Sequence, residues 1–278
     1  MLIDTHAHIQ FQSYKDDREE VMNRCFKKNM IVNVVGTQKD TSRMAVELAE
    51  EHEWLYASIG THPIHLHSTH VDEEETSFES REEDFDEAFY EKLVQSKKVI
   101  AIGECGLDLY HVPANISKDE VLAKQKDVFL KHVHFAHKHN LPLVIHCREA
   151  HDELIALLHT IQFPLRGTIH CFTSGWNHAK EYLDMGFYLG FTGVLTFPAK
   201  KLNPSLQNNL VEVAQKMPFE KMVLETDSPY LAPQKYRGER AEPWMLEEQI
   251  QYIAKLRGMS VEQVEKGIEE NSKRLFSL

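Results

Sequence analysis

The chain has 278 residues, 42% hydrophobic and 27% charged, with a formal net charge of -12. This is an ordinary globular profile, and no apolar run approaches the roughly 18 residues of a membrane span, so no membrane-spanning helix is expected. Eleven acids and a single base, Arg81, fall between residues 72 and 91, so one segment holds most of the negative charge, the remainder is nearly neutral, and a nucleic-acid partner stays open.

Short apolar runs alternate with amphipathic stretches along the chain. The first run, residues 2–8, is strand-like and ends in His6-Ala7-His8. Residues two apart on a strand share a face, so these two histidines can grip one metal ion. No basic start with a following apolar stretch precedes it, and no secretory signal is expected. Further strand-like runs occupy 31–36, 55–60, 99–103, 143–146, 167–171, 187–191 and 222–225. Helical patterns separate them at 17–28, 41–52, 84–96, 119–139, 150–161, 177–185 and 202–215, and two more follow at 243–256 and 261–272. Alternation of this kind means parallel βαβ units. Eight units predict an α/β fold, a (β/α)8 TIM barrel with parallel strands and its site at the C-terminal mouth. The competing architecture is an open doubly wound sheet. Without an internal repeat or a Gly/Ser-rich linker, residues 1–278 are expected to form one barrel domain. An acidic insertion, about 66–84, follows strand three and is expected to begin as solvated loop and end in a helix.

Five of the eight strands end in a residue that can bind metal. Beyond His6 and His8 these are Glu104, His146, His170 and Asp227. In a closed barrel the ends converge on one mouth. Four histidines and two carboxylates exceed the three protein ligands common for one catalytic ion, so two ions bridged by a carboxylate fit the inventory. Imidazole and carboxylate suit Zn, Mn or Fe, and a more hydrated Mg is compatible. Asp4 and Glu225 share strand faces with His6 and Asp227, and are expected to brace metal-bound imidazoles. The cysteines Cys25, Cys105, Cys147 and Cys171 form no CxxC pair. Three of them directly follow a candidate ligand, should point outward under the helices as small apolar groups, and suit a reducing, cytoplasmic compartment. His132, His134, His137 and His139 lie on one helix and read as a solvated face.

The chain resembles the TatD-type metal-dependent deoxyribonucleases, within the amidohydrolase-like barrels. The resemblance runs nearly end to end. It rests on Asp4-Thr5-His6-Ala7-His8, Gly60-Thr61-His62-Pro63, Gly103-Glu104-Cys105-Gly106-Leu107-Asp108, His146-Cys147-Arg148-Glu149-Ala150, His170-Cys171-Phe172, Glu225-Thr226-Asp227-Ser228-Pro229-Tyr230 and Arg237-Gly238. It implies a two-metal site that hydrolyses DNA phosphodiesters, with His6, His8 and Asp227 on one ion, His146 and His170 on the other, and Glu104 between them. The family's Ser-Gly or Thr-Gly-Ser continuation after His-Cys-Phe is here Thr173-Ser174-Gly175, a change expected in a loop and not in a ligand.

The resulting expectation is a deoxyribonuclease acting on single strands or strand ends, with two divalent ions (Zn, Mg or Mn). Glu104 and Asp227 are the catalytic carboxylates, with Asp227 as general base. His62, Arg148 and Arg237 are candidate substrate contacts. Arg148 could instead form a salt bridge with Glu149 or Asp152, and His62 could be a turn residue before Pro63. Lys235 and Arg240 are further bases that could flank the mouth, Lys200 and Lys201 read as scattered surface charge, and Tyr230 and Tyr236 could stack on bases or pack. Competing functions are an amidohydrolase acting on a small cyclic amide, lactone or ester, a D-aminoacyl-tRNA deacylase, and a non-catalytic metal-stabilised binding module. Many amidohydrolase barrels bridge their metals with a carbamylated lysine, and no lysine ends strand four or five.

Overall fold

The computed structural model describes every residue except 69, 74–75, 80–81 and 200–203, and for 70–73 and 76–79 the backbone alone. Lys200 and Lys201 lie outside the described residues. The strands are β1 (Leu2–Ala7), β2 (Met30–Val35), β3 (Leu55–Ile59), β4 (His70–Glu73), β5 (Thr76–Glu79), β6 (Val99–Asp108), β7 (Leu143–Arg148), β8 (Gly167–Ile169), β9 (Tyr188–Phe191) and β10 (Met222–Leu224). The helices are α1 (Arg18–Lys27), α2 (Lys39–Glu51), α3 (Glu87–Leu93), α4 (Lys118–His139), α5 (His151–Leu158), α6 (Trp176–Asp184), α7 (Ser205–Lys216), α8 (Leu246–Arg257) and α9 (Val261–Phe276).

Eight strands form one parallel sheet in the order β1-β2-β3-β6-β7-β8-β9-β10. The sheet curls until its ends meet. Ala7 bridges Ser228 in parallel, His8 N donates to Ser228 O at 2.7 Å, and Asp227 N donates to His6 O at 2.8 Å. The expected (β/α)8 barrel is therefore the fold. Its strands are buried on both faces, β1 and β6 along their whole length, because helices cover the outside and side chains fill the inside. That is why these strands read as continuous apolar runs.

The helices stop and start where local chemistry directs. Ser117 accepts a hydrogen bond from Glu120 N at the start of α4, and Asn140 closes it in the left-handed conformation. Ser260 and Gln263 cap the first turn of α9 reciprocally. At the other end of α9, Leu275 and Phe276 pack on Ile100, Val144, Tyr188 and Val223. Among the described residues no helix is long and apolar enough to cross a membrane.

Three elements depart from the sequence expectation. Strand β6 continues five residues past Gly103, because its pairing with β7 resumes beyond an irregularity and runs from Cys105↔Ile145 to Asp108↔Arg148. The acidic segment forms an antiparallel hairpin, with Val71 opposite Phe78, in place of a plain loop. After the hairpin the chain lies along α4, where Lys124 meets Glu82 at 2.7 Å, Lys131 meets Asp84 at 3.3 Å and Lys138 meets Glu91 at 2.8 Å. Finally, His132 is buried and not part of a solvated face. Its ring Nδ1 is 2.8 Å from Val128 O, and its Nε2 accepts from Thr61 N at 2.9 Å. His134 and His137 are exposed beside Phe163.

Close approach explains Gly106. Its φ is +147°, and a Cβ there would stand 1.9 Å from His146 O on β7. Gly106→Ala should therefore lower the unfolding free energy by about 3 kcal/mol or more, read by urea denaturation; a loss under about 1 kcal/mol would contradict the tight β6–β7 contact.

Burial pushes the His132 pKa down from 6.5 to about 4. A histidine held neutral in the fold gives stability that is complete above pH 6.5 and is lost as the pH falls toward 4, on the order of 3 kcal/mol for a shift of this size. His151, depressed to about 4 by burial and by His178, adds a second such term. His132→Gln should flatten the decline in stability between pH 6.5 and 4 without abolishing it, as measured by denaturation at a series of pH values.

Candidate metal centre

The six candidate ligands converge on the C-terminal mouth, each for a local reason. His6 projects inward from β1, and His8 follows one residue beyond its end. Glu104 sits inside β6 and His146 inside β7. His170 directly follows β8, and Asp227 lies three residues past β10, where φ of +57° turns its carboxylate into the mouth. Aspartate is among the few residues that tolerate this conformation.

Glu104 lies between two clusters and offers each a different oxygen. Its Oε2 is 3.3 Å from His6 Nε2 and 3.9 Å from His8 Nε2. Its Oε1 is 3.2 Å from His146 Nδ1, 3.4 Å from His62 Nε2 and 3.8 Å from His170 Nε2. Asp227 Oδ1 is 3.2 Å from His8 Nε2 and 3.6 Å from His6 Nε2, and its Oδ2 is 3.7 Å from His170 Nε2. Three sets gather ligand atoms within 4.8 Å: His6, His8 and Asp227; His6, Glu104 and His170; His62, Glu104 and His146. Among the described residues no such set contains both His146 and His170. His62 joins His146 instead.

The donor set fits divalent cations. The Nε2 atoms of His6 and His8 face each other at 3.2 Å, an arrangement that requires a shared proton or a shared cation. Contacts on the far side of His8, His146, His170 and His62 decide which nitrogen of each neutral ring points inward as a lone pair. His8 Nδ1 is 2.7 Å from Val35 O and must donate to that carbonyl, so Nε2 is free. His146 Nε2 lies 3.0 Å from Asp108 Oδ2, which leaves Nδ1 toward Glu104. His170 Nδ1 is 2.9 Å from Glu225 Oε1, an ion-pair contact off the ideal hydrogen-bond line, which leaves Nε2 inward. His62 is reversed. Its Nδ1 accepts from Ile64 N at 3.1 Å, so in the neutral ring Nε2 carries the hydrogen. With neutral rings, His8, His146 and His170 would present lone pairs to the centre and His62 a donor.

Burial works to raise the Glu104 pKa, but His62, His6, His146 and His170 around it hold the carboxyl well below the usual range. Burial likewise opposes ionisation of Asp227, and His170 and His8 outweigh it. Burial tends to lower His146 and His170, yet the carboxylates of Asp108 and Glu104 lift the first to about 9, and those of Glu225, Asp227 and Glu104 lift the second to about 10. Buried carboxylates of this kind need a positive partner, either protons on these two rings or bound cations. His62 goes the other way, lowered by burial and by His146.

Several expectations need correction. Glu225 does meet an imidazole, but Asp4 does not: it accepts from Thr226 N at 2.9 Å, Thr226 Oγ1 at 2.6 Å and His6 N at 3.2 Å, and burial lifts its pKa to about 8. Asp108, a residue of the Gly103–Asp108 motif, supports His146, and its parity with Glu104 along β6 is the sequence signal for it. Cys105 and Cys147 are buried as expected, whereas Cys171 is partly exposed. The φ of +44° at Cys171 breaks the alternation and turns its N–H to Glu225 Oε1 at 2.6 Å. Lys235 is engaged by Glu248 at 2.6 Å and Arg240 by Asp17 at 2.9 Å, so both bases are paired with acids. Arg148 lies over the Tyr110 ring at 3.8 Å, and Arg237 over the Phe197 ring at 4.2 Å. Tyr236 packs near Trp244 with centroids 5.4 Å apart, and Tyr230 is 6.3 Å from the His8 ring.

Known proteins match this chain from end to end. The family described as "TatD related DNase" matches residues 3–277. YabD of Bacillus subtilis, named an uncharacterized metal-dependent hydrolase, is 36% identical with full coverage of both chains. The 3'-5' ssDNA/RNA exonuclease TatD of Pantoea ananatis is 30% identical, again with full coverage of both. The crystal structure of YjjV, a TatD homologue from Escherichia coli, superposes with a TM-score of 0.81 at 25% identity, covering 100% of this chain and 98% of that one. With a barrel that gathers histidines and carboxylates at its mouth and a match over nearly its whole length, the chain belongs to the TatD family of metal-dependent hydrolases.

Proposed function

We propose that the protein is a binuclear nuclease that hydrolyses DNA phosphodiester bonds at strand ends. The observation that carries this reading is Glu104, one buried carboxylate with separate oxygens facing separate imidazole clusters. His6, His8 and Asp227 would hold one ion, His146 and His170 the other, with Glu104 shared. When bound, the ions supply positive charge against the phosphate oxygens and lower the pKa of the attacking water. The exonuclease name of the Pantoea relative supports the choice of nucleic acid as substrate.

The chain's own residues then have distinct tasks. Asp227, ionised and partly reachable from the mouth, accepts the proton of the water that attacks phosphorus. The P–O bond to the leaving sugar oxygen breaks, and His62 Nε2–H donates to that oxygen or to the phosphate beside it. Asp108 and Glu225 keep the inward nitrogens of His146 and His170 in place. Arg148 and Arg237 contribute positive charge for the phosphate backbone.

Degradation of end-labelled single-stranded DNA with added divalent metal tests the reading. Glu104→Ala should abolish cleavage while the protein remains folded by circular dichroism; full activity would refute a shared carboxylate. Asp227→Asn should retain metal and lose at least about a hundredfold in kcat, whereas cleavage at the parent rate would remove Asp227 as the base.

The ring orientations generate a further expectation. His62→Ala should lower kcat about a hundredfold with the metal content of the parent protein, while His146→Ala should lose bound metal. Metal analysis after gel filtration separates the two, and loss of metal in His62→Ala would make His62 a ligand.

A further inference from the structure

Tyr110 is a large aromatic side chain left 55% exposed where β6 emerges at the mouth. The backbone that carries it is fixed. Asp108 Oδ1 accepts from both Tyr110 N and His111 N at 2.9 Å, and Leu109 N donates to Arg148 O at 2.9 Å. The other oxygen of Asp108 holds His146 Nε2 at 3.0 Å and His111 Nδ1 at 2.9 Å. One carboxylate therefore sets both the exposed ring and a histidine of the metal centre.

The ring itself is braced on two sides. The Arg148 guanidinium lies 3.8 Å from its centroid, and the His111 ring meets it edge-on with centroids 4.9 Å apart. Packing would have buried the ring, but more than half of its surface faces solvent. Two residues of extended chain span at most about 7 Å, so the Tyr110 backbone stands within that reach of Asp108, whose carboxylate holds His146 of the metal centre.

We infer that Tyr110, backed by Arg148, is a stacking platform that seats the terminal base of a nucleic-acid strand whose end phosphodiester enters the centre. The inference rests on the nuclease reading above and specifies how that site selects strand ends. A π-face binds any base by stacking and shows little sequence preference. The guanidinium behind it strengthens the contact and sets positive charge beside the adjoining phosphate.

The test compares kcat/KM for single strands with a natural or an abasic terminal nucleotide, using the metal-loaded wild type, Tyr110→Ala and Tyr110→Phe. The wild type should prefer the natural end about tenfold, Tyr110→Ala should lose the preference, and Tyr110→Phe should restore it. A strand ending in 2-aminopurine and protected by phosphorothioate linkages gives a direct reading: its fluorescence should be quenched by wild type and by Tyr110→Phe, and not by Tyr110→Ala. Equal thermal midpoints show that the variants are folded. If Tyr110→Ala keeps both the preference and the quenching, the platform is overturned and the nuclease reading stands. If the wild type cleaves neither strand, the nuclease reading fails and the platform falls with it.

Discussion

The seam where the first strand meets the segment after the last is the contact on which both barrel and metal centre depend. His6 O accepts from Asp227 N, and His8 N donates to Ser228 O. The backbone bonds that close the barrel thus belong to residues whose side chains enter the mouth. Asp4 reinforces the seam from beneath by accepting from the backbone and hydroxyl of Thr226, and Thr5 Oγ1 adds a bond to Leu224 O at 3.1 Å. Closure and ligand placement cannot be separated, since a shift of β1 against β10 would move His6 and His8 away from Asp227.

Such a mouth is electrostatically demanding. Two buried carboxylates are tolerable only when cations or protons balance them. His146 and His170 provide that balance through rings whose outer nitrogens meet Asp108 and Glu225, while the outer nitrogen of His8 is anchored on Val35 O. Anchoring has a chemical consequence beyond rigidity, because it decides which nitrogen presents a lone pair. His62, anchored by a backbone N–H instead of an acceptor, is chemically opposite to its neighbours although it is the same residue type at a similar distance. Distance alone would group it with the ligands.

The loops at the mouth carry uncommon backbone conformations. Glu149, Cys171, Asp227 and Leu231, all beyond strand ends at this face, have positive φ. Each costs free energy that the barrel scaffold must offset, and in two cases the reason is visible: Asp227 turns inward, and Cys171 turns its N–H onto Glu225. Beyond the hairpin of the acidic segment, Glu82, Asp84 and Glu91 pair with lysines of α4.

Sequence alone determined the barrel and the identity of the strand-end residues, because parallel strands buried on both faces leave a simple apolar signature and a strand's two-residue period makes His6-Ala7-His8 legible. It also made Glu225 findable by parity. Tertiary structure decided everything that depends on which atoms meet across strands. It replaced Asp4 with Asp108 as a histidine partner, because Asp4 is consumed by the closing seam with Thr226. It buried His132, because that ring reaches across to Thr61 N. It tied Lys235 and Arg240 to surface acids, and it set the donor and acceptor sides of each imidazole ring. Residue type and spacing specify the face on which a side chain lies, whereas its protonation and partner are fixed only when distant segments pack against it.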